Sequence, residues 1–305
     1  MHTNEKLYED FLDWLRIGHS LETVSSYHWG LKIFMDWCYG NNLDVVDIKE
    51  QAFVDFAIYL KEIRRVKNST HASYFCALRT FWRWLYKRKI VQFAEDVIPV
   101  PKQDDKEHYP FVLSQEVDRL LVLFDDFYPD QLRDKAIVAF LNATGVRLSE
   151  MISVDFGHLD LVERKAIVKT FKRTNHKREI YWDAKTNEIL EKWIEVRNKI
   201  ERNSRYKSDS LFINLSHNKY GARIGKHAVQ KMFRKYRDMA GIEKKVTAHS
   251  FRHGFGKRAV EKDVHPSHLQ KMLGHAKLNT TMFYMGVADG ELERIYRQKM
   301  ELSAV

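Results

Sequence analysis

Residues Thr247–Met285 read TAHSFRHGFGKRAVEKDVHPSHLQKMLGHAKLNTTMFYM. The polar groups in this stretch are the pair His249 and Arg252, the step Leu273-Gly274-His275, and Tyr284 nine positions beyond that histidine. Between them Phe251, Phe255, Val260, Leu269, Met272 and Leu273 recur at helix-like intervals. The spacing predicts two short helices that bury one face each and gather the polar groups at a rim. A tyrosine, two histidines and an arginine converging on one point suit chemistry on an anion.

A second box lies about a hundred residues upstream, Thr144-Gly145-Val146-Arg147-Leu148-Ser149-Glu150. An arginine has a physical purpose there. A phosphodiester under attack develops charge on its non-bridging oxygens, and a guanidinium fork can hold two of them at once. Two forks, Arg147 and Arg252, would stabilise the five-coordinate state better than the starting diester. Taken singly, Arg147 reads as a surface ion pair with Glu150; beside the distal stretch it reads as half of a phosphate clamp, with Glu150 orienting it. Between the boxes, AIVKTFKRTNHKREIY (166–181) predicts two short strands around a basic turn.

Taken in order, these motifs resemble those of the tyrosine recombinases, the phage-integrase and Xer-type family. The resemblance implies that Tyr284 is the nucleophile, that His249 accepts or relays its proton, and that His275 hydrogen-bonds a phosphate oxygen. A tyrosine hydroxyl with an ordinary pKa of about 10 needs such a base or a strongly positive pocket. The family carries its catalytic lysine on the basic hairpin, where it protonates the departing 5′ oxygen. Aligning Lys177-Arg178 with the family's second strand places Lys172 at the end of the first strand as the first choice, with Lys169 the second; the sequence departs here from the family's commoner Gly-Lys-Gly form.

The remaining chemistries are disfavoured. His249 and His253 have a metal-ligand spacing, but no Glu follows the first histidine and Arg252 would set a cation beside the metal. No Walker-type phosphate loop occurs. Neither metal nor other cofactor is expected, since a phosphotyrosine conserves the energy of the broken bond.

The 305 residues suit two domains. The net charge is +10 and the pI about 9.3, which favours a polyanionic partner. Up to Ile98, 13 Lys+Arg balance 13 Asp+Glu, so the whole excess lies later. No apolar run approaches membrane-spanning length and no secretory signal is visible at the N-terminus. Cys38 and Cys76 read as small buried hydrophobes in a reducing compartment.

Four helices are predicted in residues 5–93. The first stops at Gly18, the second is capped by Ser20 and ends at Gly40-Asn41-Asn42, the third covers about 48–64, and the fourth runs from Asn68 to Lys89. On the fourth, Phe75, Leu78, Trp82 and Leu85 form an apolar stripe, while Arg79, Arg83 and Lys87 recur every four residues on a neighbouring face, where they could track a phosphate backbone. With Ser20, Thr23 and Tyr27, this stretch looks like the family's core-binding domain. Residues 96–108 hold two prolines and dense charge and read as a linker. Later helices are expected over about 114–121, 134–142, 186–201 and 226–240, the last carrying Lys231 and Arg234 toward DNA, along with Lys235 and Arg237.

The expected architecture is an N-terminal all-α bundle of the SAM-like core-binding type (1–95), a linker (96–108), and a mixed, mainly α catalytic domain with a small β-sheet (109–305). The resemblance implies site-specific recombination of double-stranded DNA by a homotetramer on two paired sites, in the cytoplasm at the nucleoid, with accessory proteins as further partners. The tail after Gly290 would dock on a neighbouring protomer. Two alternatives stand beside it: a type IB topoisomerase, and a DNA-binding regulator that has kept the fold without the reaction.

Overall fold

A computed structural model describes residues 3–100, 110–169 and 177–275. The chain divides into two compact units, 1–107 and 108–305.

The first unit is a helical bundle of α1 (Asn4–Gly18), α2 (Leu21–Gly40), α3 (Gln51–Ile58) and α4 (Asn68–Lys87). Ser20 caps α2 by accepting a hydrogen bond from the Thr23 amide, which satisfies one of the four donors a helix start leaves unpaired. The predicted third helix is α only to Ile58 and continues as a wider π turn over Tyr59–Ile63. The apolar stripe of α4 is fully inside: Phe75, Leu78, Trp82 and Leu85 are all buried, and Trp82 meets Phe53 edge-on at 4.8 Å. The basic stripe is partly used within the unit. Arg79 donates to the Ile98 carbonyl at 2.6 Å and Arg83 pairs with Glu95, while Lys87 is exposed. Cys38 is buried, as its apolar surroundings predict. Cys76 is exposed instead: it lies one position after Phe75, off the buried stripe, with its thiol 3.9 Å from the Tyr27 hydroxyl.

In the second unit, α5 (Ser114–Val122), α6 (Pro129–Thr144), α8 (Ala184–Arg202), α9 (Lys226–Met239) and the start of α10 (Ala248–Glu261) surround one core, and α11 (Pro266–Leu273) packs Leu269 and Leu273 against Ala259 of α10 in a smaller second one. The short α7 (Leu148–Ile152) follows α6 directly. Residues Ala136 to Leu141 of α6 are all buried, and the helix packs against α8 and α10. A helical stretch apolar on every side, as Ala136–Leu141 is, has to cross the interior. The small sheet is antiparallel in the order β1 (Leu159–Asp160), β2 (Lys165–Lys169), β3 (Lys177–Tyr181), with Val168 opposite Arg178 and Lys169 opposite Lys177. Two of these strands match the predicted pair; β1 is new, and at two residues it is too short to show a period-2 pattern. The molecule is therefore mainly helical with one small sheet, as the sequence implies. No described helix is long and apolar enough to cross a membrane.

Candidate active site

The site is built around the end of α11. That helix stops at Gly274, whose φ of +63° is the left-handed conformation that suits glycine, and a Cβ there would also stand 3.0 Å from Nε of Arg178. A helix end leaves carbonyls without partners and carries partial negative charge. Three guanidinium groups take three successive carbonyls. Arg178 donates from Nε to Met272, Arg252 from Nη2 to Leu273, and Arg147 from Nη2 to Gly274, at 3.1, 2.6 and 3.1 Å.

Each arginine reaches this point from a different element. Arg147 stands immediately before α7, because α6 ends at Gly145 in the left-handed conformation (φ +59°) and the chain reverses there. A Cβ on Gly145 would also meet the Phe255 ring at 2.8 Å, so only glycine fits both the backbone and the space. Arg252 lies one turn into α10, whose start is fixed by reciprocal bonds between Thr247 and Ser250. It is 4% exposed, and its Nη1 donates to the Gly145 carbonyl at 2.9 Å. Arg178 comes from β3.

Glu150 ties two of them together. Its carboxylate, 1% exposed, accepts from Arg147 Nη1, from the Arg147 amide and from Arg178 Nη2, each at 2.9 Å. Burial alone would raise this carboxyl, but the charges of Arg178 and Arg147 and the amide bond hold it below its ordinary value. Three arginines against one carboxylate leave a surplus of two positive charges in a largely buried place, which suits an anion.

His275 follows Gly274 and is tethered through its backbone to Gln270, donating from its amide to the Gln270 carbonyl at 3.1 Å and accepting from the Gln270 side chain at 3.2 Å. Its imidazole is pushed down to about 4, first by burial and then by the charges of Arg252, Arg147 and Arg178. His253 is likewise lowered to about 4 by burial, His249 and Arg252. Both rings are therefore neutral at pH 7. An anion seated among the arginines would counter the charges that depress His275 and raise its pKa. His249 is exposed on the first turn of α10, with its ring centre 6.1 Å from that of His253.

These two histidines predict an acid-sensitive window. Unfolded, they take up protons near pH 6.5; folded, they resist until about pH 4. The unfolded state thus binds more protons in that interval, and stability should fall as pH drops from about 6.5 to about 4. Urea unfolding across this range should show the decline, and His253→Gln should flatten it.

The structure therefore brings Arg147, Arg252 and His275 together at one helix end. Lys169 is exposed at the last position of β2. Lys172 and Tyr284 lie outside the described residues. Lys231 and Arg234 are exposed on α9, whose Met232, Phe233 and Tyr236 are buried. Arg178 and His253 were not singled out as site residues from the sequence. Arg178 marked the second strand, but only the fold carries it to Glu150. Among the described residues no cluster of His, Cys, Asp and Glu could hold a metal ion.

Residues 110–291 match the model of the phage integrase family. Similar curated proteins include tyrosine recombinase XerD of Listeria monocytogenes serotype 4b, 30% identical over 303 residues (96% of this chain, 97% of that protein). XerD of Oceanobacillus iheyensis is 31% identical over 301 residues, with the same coverage. Among solved structures, the fold resembles the Tn1549 transposon integrase in complex with a circular intermediate DNA (TM-score 0.77, 17% identity, 98% of this chain and 99% of that one). It also resembles XerH recombinase bound to its difH substrate (TM-score 0.69, 19% identity, 94% and 83%).

Proposed function

The chain belongs to the phage integrase family, the tyrosine recombinases, and on that premise we propose how its residues carry out site-specific DNA recombination. The relatives that match it nearly end to end are tyrosine recombinases, so DNA relaxation and binding without chemistry are not favoured.

The observation that carries the assignment is the convergence of Arg147 and Arg252 beside His275 on the end of α11. The two guanidinium forks and the imidazole N–H can surround the non-bridging oxygens of one phosphodiester. In the proposed step the hydroxyl oxygen of Tyr284 attacks phosphorus and loses its proton to His249. The bond from phosphorus to the 5′ oxygen breaks, and Lys172, or Lys169 in its place, protonates that oxygen. A 3′-phosphotyrosine and a free 5′ hydroxyl result. The 5′ hydroxyl of a partner strand then attacks the phosphotyrosine and releases the tyrosine, giving a Holliday junction that a second round resolves. The arginines act by holding charge that is greatest in the five-coordinate state.

The first domain, 1–95, would hold the duplex through Arg79, Arg83 and Lys87, with 96–108 as the linker to the catalytic domain, 109–305. An exposed ion pair such as Arg83–Glu95 contributes little, so exchanging Glu95 for a DNA phosphate costs little. Lys231 and Arg234 on α9 would add phosphate contacts. Assembly as a homotetramer on two paired sites, with the tail after Gly290 docked on a neighbour, completes the reading, as do accessory proteins and a place of action at the nucleoid.

The test is adduct trapping on nicked duplexes made from the DNA flanking the gene. A protease-sensitive, 3′-linked adduct should form, and peptide mapping should place the nucleotide on Tyr284. Tight binding of that DNA with no adduct on any nicked substrate would overturn the catalytic reading.

A further inference from the structure

We propose that Arg178 is a positioning residue for the cleavage step, holding Arg147 and Arg252 in their phosphate-binding geometry; this rests on the roles just assigned to those two arginines. Arg178 reaches both supports of the clamp. Its Nη2 holds the Glu150 carboxylate that fixes the Arg147 guanidinium and backbone, and its Nε holds the Met272 carbonyl on the helix end whose next two carbonyls hold Arg252 and Arg147. Gly274 packs against it so closely that a Cβ would stand 3.0 Å from Nε and 3.2 Å from Cδ. One side chain of β3 thus sets the distance between the α7 start and the α11 end.

Its energetics point away from a purely structural role. The side chain is 12% exposed, it sits close enough to Arg147 for the two charges to repel, and its buried Nη1 has no hydrogen-bond partner among the described residues. A buried guanidinium with one donor unsatisfied is an expensive way to pin a strand to a helix, and a well-packed apolar residue would often hold as well or better. What the fork supplies, and an apolar residue cannot, is two directed bonds at a fixed angle.

Lysine at 178 keeps the charge but cannot reach Glu150 and the Met272 carbonyl in fixed geometry at once. With nicked duplex at saturating protein, Arg178→Lys should form adduct roughly 100-fold more slowly than wild type, the scale of an ångström-sized misplacement. Its DNA affinity should stay near that of the wild type, and it should still melt cooperatively, roughly 2–10 °C below the wild type for the acceptor that lysine leaves unserved. Because Arg178 acts through Arg147, adding Arg178→Lys to Arg147→Lys should cost far less than the product of the two separate losses. Adduct formation by Arg178→Lys within threefold of wild type would overturn the proposal. So would losses that multiply in full, which mean independent action, or a lysine variant that unfolds, which means a structural strut. Absence of adduct from the wild type itself would instead overturn the assigned roles of Arg147 and Arg252, and this proposal with them.

Discussion

Arg252→Ala is expected to form the covalent DNA adduct on the order of 10³-fold more slowly than the wild type, the upper end of what one removed transition-state donor costs. The guanidinium bridges the Gly145 and Leu273 carbonyls from a nearly closed site, so the substitution removes the proposed phosphate fork and strands two buried acceptors together. Each stranded carbonyl costs about 1–3 kcal/mol, and thermal melting should show that loss beside the kinetic one. Arg252→Lys separates the two effects. It restores a positive charge and much of the volume, but a single ammonium cannot serve both carbonyls and a phosphate edge. Single-turnover trapping should therefore find the lysine variant slow as well, with binding of duplex DNA nearly intact because affinity is spread over many phosphate contacts. A lysine variant that cleaves as fast as wild type would remove Arg252 from the clamp.

Glu150→Gln should strongly destabilise the second unit. The carboxylate is 1% exposed and holds Arg147 and Arg178 at 2.9 Å each. Glutamine keeps the shape and removes the negative charge that pairs with both guanidinium groups, which then repel each other in a poorly solvated place. Breaking a buried pair from one side costs about 3–5 kcal/mol. The dependence on pH follows from the depressed carboxyl. Its contribution is complete above the unfolded value of about 4.3 and is lost as pH falls through the lower folded value. Wild type and Glu150→Gln should thus differ most near neutral pH and converge in strong acid. Urea titrations at pH 7 and below pH 4 measure this, and a gap that does not close in acid would mean that glutamine disturbs packing rather than charge.

The parts of this molecule legible in its sequence are those where one pattern has one physical cause. The stripe of α4 had to be buried because Phe75, Leu78, Trp82 and Leu85 share a face. Ser20 had to begin a helix because a hydroxyl stood before an apolar-periodic run. The box at Arg147 and the stretch from His249 to His275 were readable as a family signature because their residue types and order match it, and the fold brings Arg147 and Arg252 to the same helix end. Arg178 was not readable as a site residue, because a basic turn contains many cations and only the β2–β3 register and the approach of α11 select one of them. The π turn after α3 was hidden because it keeps a helical apolar pattern while changing its hydrogen bonding. Cys76 departs from expectation because a cysteine among aromatic residues looks buried until the helix face is known.

The turn at Gly145 bears on how degenerate copies of such a chain would look. Its left-handed backbone and the Phe255 ring above it demand glycine whether or not DNA is ever cut. Gly274, held against Arg178, is under the same demand, and Arg252 is anchored by carbonyls that the fold itself must satisfy. His249, exposed at the start of α10, has much less of the core depending on it. On the proton-accepting role proposed for His249, a descendant that had abandoned the reaction would keep much of the signature and shed His249 early, so the integrity of that exposed position would be a sharper sign of a working enzyme than the glycine-arginine box that first draws the eye.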